Sequence, residues 1–234
     1  MSGKSGVEIG GSSMNQSERR QILIQFLIKE QSGYRKIMVP HDSDEQKKML
    51  RSLINIRMAA PVSDEFQRIQ DEYLQEENRK RGIVELSALT PVQNEIYLWR
   101  GDITRLACGA IVNAANSGMT GCYQPCHNCI DNCIHTHAGI QLRNYCSDLM
   151  EKQGHEEPTG MAKITPAFNL PCEYVIHTVG PIVRGKLTAL HRRQLSSCYR
   201  SCMELADQNQ VCSIAFCCIS TGVFMFPNEE AAEI

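Results

Sequence analysis

The chain of 234 residues is long enough for one large domain, or for one domain with an appended helical piece. Apolar residues make up 42% and charged residues 21%, the net charge is −2, and no basic stretch exceeds RKR (79–81) or HRR (191–193), a balance that argues against nucleic acid as a partner. ILIQFLI (22–28) is too short to cross a bilayer, and the leading MSGKSGVEIGGSS lacks the charged, apolar and cleavage regions of an export signal, so a cytoplasmic protein without a membrane partner is expected.

Residues 1–13 are rich in Gly and Ser and are expected to form a disordered tail. A helical N-terminal segment over 14–82 follows. Ile22, Leu23, Phe26 and Leu27 share one side of a helix over 14–31, and Ser43 with Gln46 has the form of a capping box opening a helix through Arg57. Pro61 and Ser63 introduce a third helix, in which Phe66, Ile69, Tyr73 and Leu74 keep helical spacing until Gly82. This segment carries no reactive cluster, and its expected role is that of a packing cap. From residue 95 the texture changes. EIYLWRGDIT, AIVNAAN, MAKIT, EYVIHTVGP and SIAFCCIS are short β-branched runs, separated by helical patterns over about 129–153 and 186–209. Strands alternating with helices predict a three-layer α/β domain with a mixed sheet, whose functional residues lie on the loops beyond strand ends.

All twelve cysteines lie between Cys108 and Cys218. In a cytoplasmic chain, disulfides are the poorer reading; metal binding, catalysis or burial are the better ones. Cys198 with Cys202, and Cys217 with Cys218, sit in apolar patterns and are expected to be buried as small hydrophobes. GCYQPCHNCIDNCIH (121–135) is different: Cys122, Cys126, His127, Cys129, Cys133 and His135 are all candidate metal ligands, and composition does not choose among them. Cys126 and Cys129 form a CxxC that fits either a structural site or a redox pair. Asp102, after a strand, could accept from an amino group or simply make a turn. Asn113 and Asn116, three apart among small residues, offer amides suited to sugar hydroxyls, or turn formation. Gly222, behind Ser220 and Thr221 and ahead of a helix near Pro227, lies in a loop whose N–H groups suit an anion such as phosphate.

GDITRLACGAIVNAANS, CIDNCIHTHAG, YVIHTVGP and ISTGVFMFP, in that order, resemble a macrodomain, the ADP-ribose-binding α/β/α fold. Most hydrolytic macrodomains are glycine-rich after the asparagines. GCYQPCHNC stands here instead and resembles the zinc-dependent macrodomains of bacteria and some lower eukaryotes, with GC, a short spacer, PxHxC and IDN; RSLINIR and SDEFQRIQDEYL are similar to the same subfamily. The likeness runs over about residues 45–234. It implies Zn2+ on Cys122, His127 and Cys129, three protein ligands that leave a place open as a catalytic zinc requires. It further implies adenine contacts at Asp102 and Ile103, distal-ribose contacts at Asn113 and Asn116, and a diphosphate loop of Ser220, Thr221, Gly222, Val223 and Phe224. Asn116 and Asp131 are the implied catalytic residues, with a plain helix N-cap as the other reading of Asp131.

The implied reaction is hydrolytic removal of mono-ADP-ribose from a modified protein side chain, in the family's usual context of a lipoyl-carrier protein modified by a class M sirtuin. The rival is a non-catalytic ADP-ribose-binding module with a structural zinc, in which Cys126 or Cys133 would supply a fourth ligand. A monomer is expected, with the macrodomain over 90–234. The resembling proteins continue by a further strand and helix, so the C-terminal end is expected to be missing. Met225 stands where a smaller residue would be easier to accommodate.

Overall fold

Each helix of the N-terminal third starts on a side chain that satisfies free backbone N–H groups. Asn15 and Glu18 form a capping box for α1 (Gln16–Glu30), Asp42 caps α2 (Ser43–Ile56), and Ser63 caps α3 (Asp64–Arg81). The expected Ser43–Gln46 box is therefore replaced by Asp42, whose carboxylate reaches Asp44 N and Glu45 N; Gln46 is instead buried against Arg20 and Pro40 O. The computed structural model describes residues 14–31, 33 and 37–234, so the tail expected over 1–13 lies outside the described residues.

Leu23, Leu27, Leu50, Leu53, Phe66 and Ile69 are among the residues that close a helical core between α1, α2 and α3, and Ile140 of α5 (Ile140–Gln153) is buried in the same core. Beyond α3 come β1 (Val84–Glu85), a hairpin of β2 (Pro91–Gln93) and β3 (Ile96–Tyr97), and β4 (Leu106–Ala107), which pairs in parallel with β1. EIYLWRGDIT thus supplies only the second arm of a hairpin outside the main sheet. That sheet comprises β5 (Ala110–Ala115), β6 (Ala162–Pro166), β7 (Tyr174–Val179) and β8 (Ile214–Ala215), in the order β6-β7-β5-β8. β5 is parallel to β7 and β8, and β6 is antiparallel to β7, so the sheet is mixed as expected.

Side chains of a strand alternate between faces, and β5 separates the two cores accordingly. Ile111 and Ala115 join Val175 and Val179 beneath α4 (Ile130–Ala138) and α5, while Ala110 and Val112 join Ile176 beneath α6 (Ala189–Gln208). The result is three layers, α/β/α, with the helical segment packed on one side. The single helical pattern over 129–153 is broken at Gly139, whose φ of +98° ends α4 and disfavours any residue with a Cβ. Cys198 and Cys202 are fully buried in α6 as expected, whereas Cys218 is exposed beyond the short β8. All twelve cysteines are free thiols. Among the described residues, no helix is long and apolar enough to cross a membrane. A short α7 (Asn228–Ala232) follows Pro227.

Candidate functional site

β5 runs out at Ala115, and the chain turns at Asn116 into the segment that leads to α4. Here two amides converge on one carboxylate. Asn113 Nδ2 donates to Asp131 Oδ1 at 2.8 Å and Asn116 Nδ2 to Asp131 Oδ2 at 3.3 Å. Asp131 is buried, and burial pushes its carboxyl up to about 6 against the bond from Asn113. It does not cap α4: Cys129 is the cap residue, its sulfur accepting Asn132 N at 3.4 Å. The N-cap reading of Asp131 is therefore replaced by one in which it fixes two asparagine amides. Asn116 is engaged at both ends, with Nδ2 also donating to Gly121 O and Oδ1 accepting Gly118 N. Asn113 is not: its Oδ1 is buried without a hydrogen-bond partner. An unmatched buried acceptor costs about 1–3 kcal/mol, which a ligand hydroxyl would recover.

Next in the chain is the cysteine-rich loop. Cys122 Sγ and His127 Nδ1 lie 3.6 Å apart, and with Cys129 Sγ they form a group whose donor atoms all fall within 4.8 Å of one another. Bond lengths usual for zinc to sulfur and to imidazole nitrogen, set at a tetrahedral angle, require a sulfur–nitrogen edge of roughly 3.6 Å. Two thiols and an imidazole at that spacing fit a zinc ion. Burial pushes the Cys129 thiol up to about 12, and a divalent cation between the sulfurs would reverse that by favouring thiolates. Cys126 and Cys133 are not drawn in. Cys126 Sγ lies 3.2 Å from Ser52 Oγ and 3.5 Å from Lys48 O, both on α2, and Cys133 Sγ faces Arg51 Nη2 at 3.7 Å.

These contacts belong to a larger arrangement that sequence reading missed. Arg51, Ser52 and Asn55 lie on one face of α2, and that face carries the cysteine-rich loop. Arg51 Nη2 donates to His127 O at 2.7 Å and to Asn132 Oδ1 at 2.9 Å. Asn55, fully buried, accepts Cys126 N at 2.9 Å and donates to Thr136 Oγ1 at 2.9 Å. The anchored residue needs it, since Cys126 has a φ of +52°, a left-handed conformation that disfavours a side chain. From inside, Asn132 Nδ2 holds Cys122 O and Gln124 O. Buried Arg143 of α5 ties Thr120 O to the carbonyls of Ile54 and Asn55 and lies 4.3 Å from the Tyr123 ring centroid. The helical segment is thus a seat for the loop as well as a packing cap. The available signal was a polar Asn55 between Ile54 and Ile56 in an otherwise amphipathic helix.

At the sheet's other C-terminal loop, Gly222, Val223 and Phe224 present three successive N–H groups that donate to no group among the described residues, and Ser220 Oγ is buried without a partner. Such a run of free amides suits an anion. The loop adjoins the end of β7, where a Cβ on Gly180 would lie 1.9 Å from Ser220 Oγ. Thr221 Oγ1 is engaged, donating to Cys218 O at 3.0 Å. Met225 is accommodated by a φ of +58° that directs its side chain into solvent. Asp102 is only half available. Its Oδ1 accepts from Thr104 N and Oγ1, and its Oδ2 pairs with Arg81 at the end of α3. Ile103 follows, buried, at the start of a 3-10 turn.

The family model of the Macro domain matches residues 112–234. A protein of Treponema medium named Protein-ADP-ribose hydrolase is 60% identical over 225 residues, covering 94% of this chain and 86% of the relative. A Staphylococcus aureus (strain MRSA252) protein of the same name is 46% identical over 218 residues, covering 92% and 82%. Among solved structures, a mutant of the Oceanobacillus iheyensis macrodomain with ADPR is similar at a TM-score of 0.51 and 41% identity, over 56% of this chain and 69% of that one. The three-layer fold, the loops at the strand ends and these likenesses agree, and the chain belongs to the macrodomain family.

Proposed function

We propose that the chain is a zinc-dependent hydrolase that releases mono-ADP-ribose from modified protein side chains. Two relatives named Protein-ADP-ribose hydrolase, one at 60% and one at 46% identity over most of the chain, support the hydrolytic activity. One observation carries the zinc reading. Cys122, His127 and Cys129 converge beside the Asn113–Asp131–Asn116 network, and Cys126 and Cys133 turn away toward α2, so the described residues offer no fourth cysteine ligand. A closed structural zinc would use one of them.

In this reading the free Oδ1 of Asn113 accepts a hydroxyl of the distal ribose, and Asp131 keeps the amide turned that way by holding its Nδ2. Asn116 links Asp131 to Gly121 O, and so ties the sugar-facing residues to the neighbouring ligand Cys122. The free amides of Gly222–Phe224 and the Ser220 hydroxyl take the diphosphate oxygens, and Asp102 with Ile103 meets the adenine. When bound, zinc supplies a Lewis acid that stabilises negative charge on an oxygen of the breaking linkage. We assign residues 14–82 to the helical segment and 90–234 to the macrodomain.

The test is release of ADP-ribose from a modified protein, beginning with a lipoyl-carrier protein modified by a class M sirtuin, with and without a chelator. Release that stops on chelation and returns with zinc supports the proposal. Full activity of a zinc-free Cys129→Ala variant would refute the metal's role, and binding without release would select the non-catalytic reader.

A further inference from the structure

Beneath the sugar-facing amides lies a second convergence of metal-binding side chains that hydrolysis does not use. His135 comes from α4, Cys146 from α5 and His177 from β7. All three are buried, and one donor atom from each falls within 4.8 Å of the others. His177 is tied at both nitrogens: Nδ1 lies 3.0 Å from Asn113 Nδ2 and Nε2 lies 3.0 Å from Thr165 Oγ1, with Cys146 Sγ 4.0 Å from Nε2.

His135 is different. It is 2% exposed, and neither of its nitrogens has a hydrogen-bond partner. The ring itself is explained by packing, since a Cβ on Gly121 would lie 2.8 Å from its Cδ2, but packing leaves the two nitrogens unmatched. Each such group costs about 1–3 kcal/mol when buried, and the usual remedy is a bound water or ion.

The donor types decide between those remedies. Water needs only polar neighbours, whereas two imidazoles and a thiol are the donors preferred by zinc and similar thiophilic ions. We propose that His135, Cys146 and His177 form a second, internal site for a thiophilic divalent cation, separate from Cys122, His127 and Cys129.

Charge fits. Asp131 Oδ1 lies 3.6 Å from His135 Nε2, so one carboxylate and the Cys146 thiolate together neutralise a doubly charged ion, as a buried site requires. Protons balance as follows. Cys146 releases its thiol proton to solvent. His177, ligating through Nε2 in place of its contact with Thr165 Oγ1, carries its one proton on Nδ1 and needs the Asn113 amide oxygen turned inward to accept it, so filling this site and holding a ribose hydroxyl on Asn113 Oδ1 exclude one another. The turned oxygen cannot donate to Asp131 Oδ1, which moves off Asn113 toward the ion.

Metal stoichiometry of the full chain, loaded with excess zinc and desalted, tests the site. Two equivalents are expected in the wild type, one in Cys146→Ala, one in Cys122→Ala/Cys129→Ala, and none in the triple variant. Cobalt gives a second readout: in Cys122→Ala/Cys129→Ala a thiolate-to-cobalt charge-transfer band should persist, and adding Cys146→Ala should abolish it. Cys146→Ser repeats the measurement with little change of volume, and a single variant that keeps the outer-site cobalt spectrum is folded around that site. One equivalent in the wild type, two in Cys146→Ala, metal retained by the triple variant, or loss of both equivalents in both Cys146 variants would each overturn the proposal.

Discussion

Asn55→Ala isolates what the helical segment does for the cysteine-rich loop. The substitution removes two hydrogen bonds, the acceptor for Cys126 N, which is half-buried, and the donor to Thr136 Oγ1, which is buried, each 2.9 Å long. Thr136 keeps its own bond to Asn132 O, so its share is an ordinary net hydrogen bond of about 1 kcal/mol. Cys126 fares worse. Its N–H is orphaned in a residue already held at a φ of +52°, and a buried unmatched donor costs about 1–3 kcal/mol. Total destabilisation should therefore be about 2–4 kcal/mol. Only the Cys126 part acts on the loop, and at 1.4 kcal/mol per factor of ten it lowers zinc affinity by roughly 5- to 140-fold. Competition against a chromophoric chelator reads that affinity, while urea unfolding of the metal-free chain reads the stability. If stability falls by the full amount and zinc affinity stays within about twofold of the wild type, the loop holds its own geometry and α2 is only a packing cap.

Two further outcomes follow from the same geometry. Gly121→Ala places a methyl 2.8 Å from the buried ring of His135 at a φ of +87°, so strain and overlap together should cost about 2–4 kcal/mol in chemical denaturation; a loss below about 0.5 kcal/mol would mean the loop yields freely. At Asp102, burial pushes the carboxyl up, but bonds from Thr104 and the charge of Arg81 outweigh it and hold the group below its ordinary value of 3.8. A depressed carboxylate stabilises the fold above its unfolded pKa and loses that contribution as pH falls through the folded one. The stability gap between wild type and Asp102→Asn should accordingly be constant above about pH 5 and close below about pH 4. A gap unchanged into acid would show that the charge is not its source.

What was legible in the sequence, and what was not, divides along chain distance. AIVNAAN reads as a strand because its small and β-branched residues suit a sheet buried on both faces, and β5 takes that run with Asn113 directed to the α4 side. The helices of the N-terminal third are written in local caps and periodicity. Composition left six donors open between 122 and 135, and the choice of Cys122, His127 and Cys129 came from resemblance; their convergence depends on where the backbone puts each side chain. The seat of the loop was invisible for a plain reason. Asn55 and Cys126 are 71 residues apart, Arg51 and Asn132 are 81 apart, and Arg143 reaches back 89 residues to Ile54 O. No periodicity encodes a bond of that span.

The same span explains why an apparently inert segment is tied to a reactive loop. A loop rich in thiols has several ways to surround a cation, and a closed arrangement using Cys126 or Cys133 would satisfy the metal better than an open one. α2 weighs against that alternative by engaging both extra cysteines, Cys126 through Ser52 Oγ and Lys48 O and Cys133 through Arg51. It also fixes Cys126 N on Asn55, so that shifting this backbone to bring the sulfur to Cys122 would break that bond as well as the sulfur's own contacts. On this argument the helices do more than stabilise the domain. They would hold the proposed zinc group at three protein donors, and weakening them should shift a bound ion toward closed coordination before the fold is lost.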